Sequence, residues 1–438
     1  MSLSAILKAH GHEVFLCVGS TQHIVNQLNR IVPDMVGISS YTGGHLGDLA
    51  LARLIKSCVP TTIVFGGPHP TFFPEIIEND SVDVVCRGEA ESSLPVLLDT
   101  LGTPQACHIP GIWIKQNGTI YRNGMPSLIE DLDQLPDCDR SLVYMENPYL
   151  RNSPTKFFLT GRGCPYNCTY CYNEPLHKLY ERNGRYVRQR SVESVLGEIK
   201  KVREEYPLQI VYFLDDTFGF QPGWLEEFSR RYPLEIGLPF ICQVRPNFLN
   251  TENTRLLARA GCRMVSLGIE TGSSDQRQKL LRRFIPNDEI IDACNHLRTN
   301  SIKVFTLNML GLPGDQMRNA LETLDFNLLC RPDFAWASIY QPYPGTSLGQ
   351  AACEKGLFNG NPDSIPSSLY AYSALAFDPI KLGRELLRLQ RLFAIIVRFP
   401  WLRPLVPLLI QLPLDSAYTM IWRRFQDRAY NSIMVRNS

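Results

Sequence analysis

The stretch Gly161-Arg162-Gly163-Cys164-Pro165-Tyr166-Asn167-Cys168-Thr169-Tyr170-Cys171-Tyr172-Asn173 holds three cysteines spaced Cys-x-x-x-Cys-x-x-Cys. Three thiolates on one tight loop can bind three irons of a [4Fe–4S] cluster and leave the fourth iron without a protein ligand. Clusters that only carry electrons have four protein ligands, and an open coordination position points to chemistry at the metal. The competing reading is zinc. Zinc takes four ligands, commonly from paired Cys-x-x-Cys knuckles, and no second knuckle follows here. The apolar run Lys156-Phe157-Phe158-Leu159-Thr160 reads as a strand entering the loop, the position at which a barrel fold places a site.

Working outward, residues 151–352 show strands at barrel spacing separated by helical segments. After Phe157–Thr160 come Ile210–Asp216, Phe240–Arg245, Met264–Glu270, Lys303–Leu310 and Trp336–Tyr343. Six strand–helix units predict a partial (β/α)6 barrel of TIM type. Polar groups fall at the carboxyl ends of these strands: Asp215 and Asp216 on the second, Gln243 and Arg245 on the third, Glu270 on the fourth. Catalytic and binding groups of barrels sit at those ends.

Residues 1–104 alternate helical and strand-like segments, which predicts a parallel sheet with crossover helices, an α/β Rossmann-like domain. Ser4–His10 reads as the end of a helix, closed by Gly11, Glu13–Val18 as a strand and Gln22–Ile31 as an amphipathic segment. Met35–Ser40, Thr61–Phe65 and Val82–Cys86 read as strands, with helices over Leu46–Cys58 and Ser92–Leu101. Small-residue turns at Ser39–Gly44 and Gly66–Thr71 lie at two strand ends, where they let a bulky ligand approach the backbone. Residues 105–150 read as a connector whose Asn117-Gly118 sits between two short strands, a hairpin signal.

The cysteine loop and the barrel pattern resemble the radical S-adenosylmethionine (SAM) enzymes. The N-terminal region resembles the cobalamin-binding Rossmann domain that precedes the barrel in one large branch of that family. His10-Gly11-His12-Glu13-Val14, Gly66-Gly67-Pro68-His69-Pro70-Thr71 and Arg87-Gly88-Glu89-Ala90-Glu91 are the matching pieces. The resemblance implies that Cys164, Cys168 and Cys171 ligate the cluster and that SAM chelates the open iron. It implies that Tyr170 flanks the adenine, that Asp215 or Asp216 receives the SAM ammonium, that Arg245 meets its carboxylate and that Glu270 meets its ribose hydroxyls. Ser39, Ser40, Thr42, Gly66, Gly67, His69, Thr71 and Glu89 are the corresponding cobalamin contacts. The Asp-x-His-x-x-Gly cobalt-ligand motif of cobalamin-dependent mutases does not occur. Cobalamin is therefore expected base-off, with His69 a turn residue near the corrin. Members of the branch begin with a further strand, and here that first strand reads as missing.

The composition bounds the rest. The chain has 438 residues and a formal net charge of +1, which gives no electrostatic case for a nucleic-acid partner. Thirteen cysteines without a regular framework read as reduced thiols. No basic segment with an apolar core opens the chain, and the expected setting is cytoplasmic. Residues 353–438 read as a helical region capping the barrel. Phe393–Leu412 is apolar but holds Arg398, Arg403 and three prolines, so it makes a poor membrane span, and membrane association is not favoured.

The resemblance implies an enzyme that methylates an unactivated carbon, using the cluster, a 5′-deoxyadenosyl radical and methylcobalamin. Its partners are a small-molecule substrate, for which the apolar C-terminal region favours a hydrophobic one, and an electron donor such as flavodoxin or ferredoxin. The alternatives are a non-methylating cyclase or rearrangement enzyme, and an inactive cluster-bearing partner protein.

Overall fold

The computed structural model describes residues 1–377 and 380–434, with side chains to residue 429. The chain divides into two compact units. The first comprises Met1–Arg151 with Leu176–Tyr186 and Pro362–Ser367. The second comprises Asn152–Pro175, Val187–Asn361 and the chain from Ser368 onward.

The first unit is built on a five-stranded sheet in sequential order: β1 (Met35–Ser39), β2 (Thr62–Gly66), β3 (Val84–Cys86), β4 (Ile112–Gln116) and β5 (Thr119–Arg122). The first three strands are parallel and the last two antiparallel. Both faces of the sheet are covered, which is why its strands are apolar runs rather than alternations. Ile63, Phe65 and Val85 meet Leu28, Ala52 and Ile55 on one side. Val64, Val84 and Cys86 meet Leu97, Ala106 and Ile109 on the other. The expected hairpin forms. Asn117 (φ 52°) and Gly118 (φ 74°) are both left-handed, as a primed turn requires. The hairpin extends the N-terminal sheet, β4 pairing with β3 and β5 with β4.

One expected strand does not form. Glu13–Val18 has strand-like residues but no ladder partner, and β1 is the sheet edge. Strand propensity describes a side chain's fit to a pleated surface and does not create a neighbour.

The second unit holds a six-stranded, wholly parallel sheet: β6 (Thr155–Phe158), β7 (Ile210–Phe213), β8 (Phe240–Val244), β9 (Cys262–Glu270), β10 (Lys303–Leu310) and β11 (Phe334–Ile339), in sequential order. This is the expected partial barrel. Its outer face packs on the helices Val192–Glu205, Trp224–Glu235, Thr251–Arg259 and Asn287–Thr299, through a core that includes Phe213, Phe218, Phe228 and Phe240.

The helix Lys381–Arg398 buries Leu382, Leu386, Leu389, Phe393 and Ile396, an apolar stripe at helical spacing. The stripe packs against Ala335, Ala337 and Ile339 of β11. Pro400–Leu405 and Val406–Leu409 then form short helices, and Asp415–Met434 a second long one. The two long helices are tied by Arg388, whose Nη2 lies 2.9 Å from Asp415 Oδ2. Among the described residues no helix is long and apolar enough to cross a membrane.

Candidate functional site

The cysteine loop leaves β6 at its carboxyl end and is pinned at several points within its own unit. Thr169 donates its backbone N–H to Leu281 O (3.3 Å) and its hydroxyl to Leu280 O (2.6 Å), and accepts from Leu348 N–H (2.8 Å). Glu174 accepts from the Ser347 hydroxyl at 2.6 Å, and the Tyr172 and Tyr343 rings lie 5.2 Å apart. The loop is therefore held from two sides by segments distant in sequence.

All three sulfurs receive donors from their surroundings, Cys164 from the backbone N–H of Tyr166. Asn173 N–H lies 3.5 Å and Asn173 Nδ2 3.6 Å from Cys171 Sγ. Arg283 Nη1 lies 3.8 Å from Cys168 Sγ. Burial pushes the Cys164 thiol up to about 12 and raises that of Cys171, so an anionic sulfur here calls for a neutralising cation. Iron supplies such a charge, and hydrogen bonds to the sulfurs tune the potential of a cluster. The donor set fits an iron–sulfur group. Among the described residues, no group of three His, Cys, Asp or Glu side chains is gathered closely enough to hold one metal ion. A cluster, by contrast, spreads its cysteines over separate irons.

Arg283 was not legible as a site residue in the sequence. Its Nη2 donates to Gly268 O at 2.6 Å, its Nη1 donates to the Tyr170 hydroxyl at 3.3 Å, and Nη1 stands 3.7 Å from Glu270 Oε1. It thus gathers Tyr170, Glu270 and Cys168. Glu270 itself sits at the end of β9 with φ 68°, a left-handed backbone rare outside glycine. The guanidinium carbon of Arg245 lies over the Tyr166 ring, 4.0 Å from its centroid, with the buried Nε unpartnered. Asp215 Oδ1 accepts from Thr160 N–H (2.8 Å) and from the Thr160 hydroxyl (2.7 Å), so it braces the exit of β6, while its buried Oδ2 has no partner. Burial pushes the Asp215 carboxyl up to about 7. Asp216 faces solvent and hydrogen-bonds the Asn173 side chain. The orphaned atoms of Asp215 and Arg245 are an acceptor and a donor suited to an amino-acid ligand. Beside Glu270 opens a cavity of about 520 Å³, lined largely by apolar and aromatic side chains.

In the first unit the expected cobalamin residues converge at the carboxyl ends of β1 to β3. Gly67 has φ 93°, and a Cβ there would stand 2.9 Å from Ser40 O. Ser40 donates to Asp48 at 2.7 Å. Thr71 donates to Gly67 O and accepts from Gly88 N–H, while Glu89 N–H donates to the Tyr180 hydroxyl. His69 is buried in the short helix Pro68–Phe72 rather than in an open turn. Its Nδ1 is 3.1 Å from Thr42 Oγ1, and its ring stacks on His45 at 3.9 Å. Burial, reinforced by His45, lowers its pKa to about 4 and keeps the imidazole neutral. Ser39 and Gly66 end β1 and β2, paired with one another. A recess of about 380 Å³ lined by His45, His69, Phe73 and Asp363 adjoins this surface. The strand-end glycines and the recess suit a bulky cofactor that approaches the backbone.

Comparison with known proteins agrees with both halves. The model of the radical SAM superfamily matches residues 158–326, and that of the B12 binding domain matches residues 1–98. The chain joins a B12 binding domain to a radical SAM domain. These domains make SAM, a [4Fe–4S] cluster and cobalamin its cofactors.

An uncharacterized methyltransferase of Pyrococcus horikoshii is 28% identical over 76% of this chain and 72% of its own length. An anaerobic magnesium-protoporphyrin IX monomethyl ester cyclase of Cereibacter sphaeroides is 23% identical over 76% of this chain and 55% of its own. The chain covers 62% to 65% of three further relatives named as methyltransferases or methylases. Among solved structures, the radical SAM methyltransferase TsrM of Kitasatospora setae, with cobalamin and a [4Fe–4S] cluster bound, superposes with a TM-score of 0.66. It is 17% identical, with 81% of this chain and 74% of that one covered.

Proposed function

We propose that this radical SAM enzyme is a C-methyltransferase acting on an unactivated carbon of a small-molecule substrate. The carrying observation is the joining, in one chain, of a three-cysteine loop at a barrel strand end with a B12 binding domain. The methyltransferase relatives support it. When bound, the cluster supplies the electron that cleaves SAM, and cobalamin supplies the methyl group.

The chain's residues then have distinct tasks. Cys164, Cys168 and Cys171 hold the cluster, and Asn173 and Arg283 stabilise charge on two of its sulfurs. The free oxygen of Asp215, with Asp216 near, accepts from the SAM ammonium. Arg245 donates to its carboxylate, Glu270 accepts from the ribose hydroxyls, and Tyr170 flanks the adenine. Ser39, Ser40, Thr42, Gly66, Gly67, His69, Thr71 and Glu89 border cobalamin. The apolar cavity beside Glu270 excludes water from the substrate's reacting carbon.

The test is anaerobically reconstituted protein given SAM, hydroxocobalamin and a strong reductant, with 5′-deoxyadenosine and S-adenosylhomocysteine measured by mass spectrometry. Both products are expected. 5′-Deoxyadenosine alone favours the second reading, a non-methylating cyclase or rearrangement enzyme, for which the cyclase relative speaks. Neither product would sink both readings.

A further inference from the structure

The 520 Å³ cavity of the second unit is long rather than round. It is lined along β11 from Asp333 through Ser338 and along β10 from Phe305 to Met309. At about 3.3 Å per strand residue its span is roughly 16 Å. Aromatic rings make a continuous wall. Phe305 and Trp336 have centroids 6.1 Å apart, Trp336 and Tyr370 5.5 Å, and Tyr370 and Trp422 5.2 Å. The last of these rings comes from the C-terminal helix Asp415–Met434, and the helix Lys381–Arg398 lines the same cavity through Gln390, Ala394, Val397 and Arg398.

The two ends of the cavity differ in charge. At one end stands Glu270, already faced by Arg283. At the other stand Asp333 and Arg398, both solvent-exposed. Asp333 accepts from Val304 N–H with one carboxylate oxygen. Arg398 has no ion pair among the described residues. The surrounding segment is basic in excess: residues 380–429 hold nine Lys and Arg against three Asp and Glu, while the whole chain has a net charge of +1. Arg424 and Arg428, both exposed, flank the cavity-lining Phe425.

We propose that this cavity takes an elongated apolar substrate with an anionic terminal group, either a carboxylate or a phosphate. The hydrocarbon body lies along the Phe305–Trp336–Tyr370–Trp422 wall, the anionic end meets Arg398, and the carbon to be functionalised lies at the Glu270 end. This rests on the reading of the chain as an enzyme that acts on an unactivated carbon, and it adds the substrate class and its direction. A cavity of this volume suits a small-molecule ligand. Its lining offers few polar partners, so a polar body would be left with unsatisfied hydrogen-bonding groups.

The test is equilibrium binding of cis-parinaric acid, a fluorescent long-chain carboxylate, and of its neutral methyl ester to the full-length reconstituted protein. Saturable one-to-one binding of the acid is expected. Arg398→Gln, a surface change, should weaken the acid about threefold to tenfold and leave the ester unchanged. Ala394→Trp, which fills the cavity, should remove binding of both. Displacement by dodecyl phosphate or by dodecanoate then separates a phosphate from a carboxylate head. No saturable binding, an acid indifferent to Arg398→Gln, or full binding in Ala394→Trp would each overturn the proposal. The assay needs no turnover, so it fails separately from the enzymatic reading. Lost parinarate binding with SAM cleavage retained rejects the substrate class alone. Retained binding without SAM cleavage supports the cavity assignment and rejects the activity.

Discussion

Replacing Arg283 by methionine tests the electrostatic frame of the cluster site. The guanidinium makes a 2.6 Å hydrogen bond to Gly268 O and a 3.3 Å bond to the Tyr170 hydroxyl, and it lies 3.7 Å from Glu270. The two side chains are only 7% and 13% exposed, so the pair is largely shielded from water. Methionine keeps the bulk and removes the cation, so Glu270 is left without its partner. Breaking a buried pair from one side costs about 3–5 kcal/mol, roughly 6–20 °C in unfolding midpoint for a domain of this size. The assay is thermal and urea unfolding of the cluster-free protein, monitored by near-UV circular dichroism. Arg283→Met with Glu270→Gln removes the orphaned charge, and this double variant is expected to regain at least about 1 kcal/mol over the single one. A single variant within 1 kcal/mol of the parent, or a double variant no more stable than the single, would refute the reasoning.

Three further outcomes are expected. Glu270→Ala should weaken SAM binding while the cluster's visible absorption is preserved; loss of that absorption would mark Glu270 as structural. Asp215 has its carboxyl raised to about 7 by burial, from 3.8, so the folded state binds the extra proton. Its contribution is present in full below about pH 4 and is lost as the pH rises through about 7. The stability difference between Asp215→Asn and the parent should therefore grow in favour of the variant from pH 4 to 7, and a flat difference would show that the carboxyl is not desolvated. Gly67→Ala must adopt φ 93° with its Cβ 2.9 Å from Ser40 O. It should cost about 1–2 kcal/mol or more and reduce cobalamin retention on gel filtration, whereas unchanged retention would place cobalamin elsewhere.

The cysteine loop, the six parallel strands and the strand-end carboxylates are legible in the sequence because each depends on local spacing. Cys-x-x-x-Cys-x-x-Cys is a property of eight residues, and a buried parallel strand is a short apolar run. Arg283 was not legible. Its partners are Cys168, Tyr170, Gly268 and Glu270, and two of them are more than a hundred residues away. Only the fold brings such groups together, and Leu281-Arg282-Arg283-Phe284 carries no mark to separate a buried arginine from its exposed neighbour. Glu13–Val18 failed for the opposite reason: its residues suit a strand, but a strand also needs a neighbour. The carboxylate of Asp215 shows a third limit. Its place at a strand end was readable, but its division between bracing Thr160 and leaving one oxygen free was not.

The left-handed backbone of Glu270 has a consequence for protein engineering. Glycine adopts φ 68° without the roughly 1–2 kcal/mol steric penalty that an L side chain meets there, but glycine at this position would also strip the buried Arg283 of its carboxylate, at a cost of about 3–5 kcal/mol. Glu270→Gly would keep the cysteines and lose the carboxylate that borders both Arg283 and the cavity. Libraries built on this chain should hold residue 270 fixed, since a backbone rule that favours glycine there would remove both the ion pair and the carboxylate of the site.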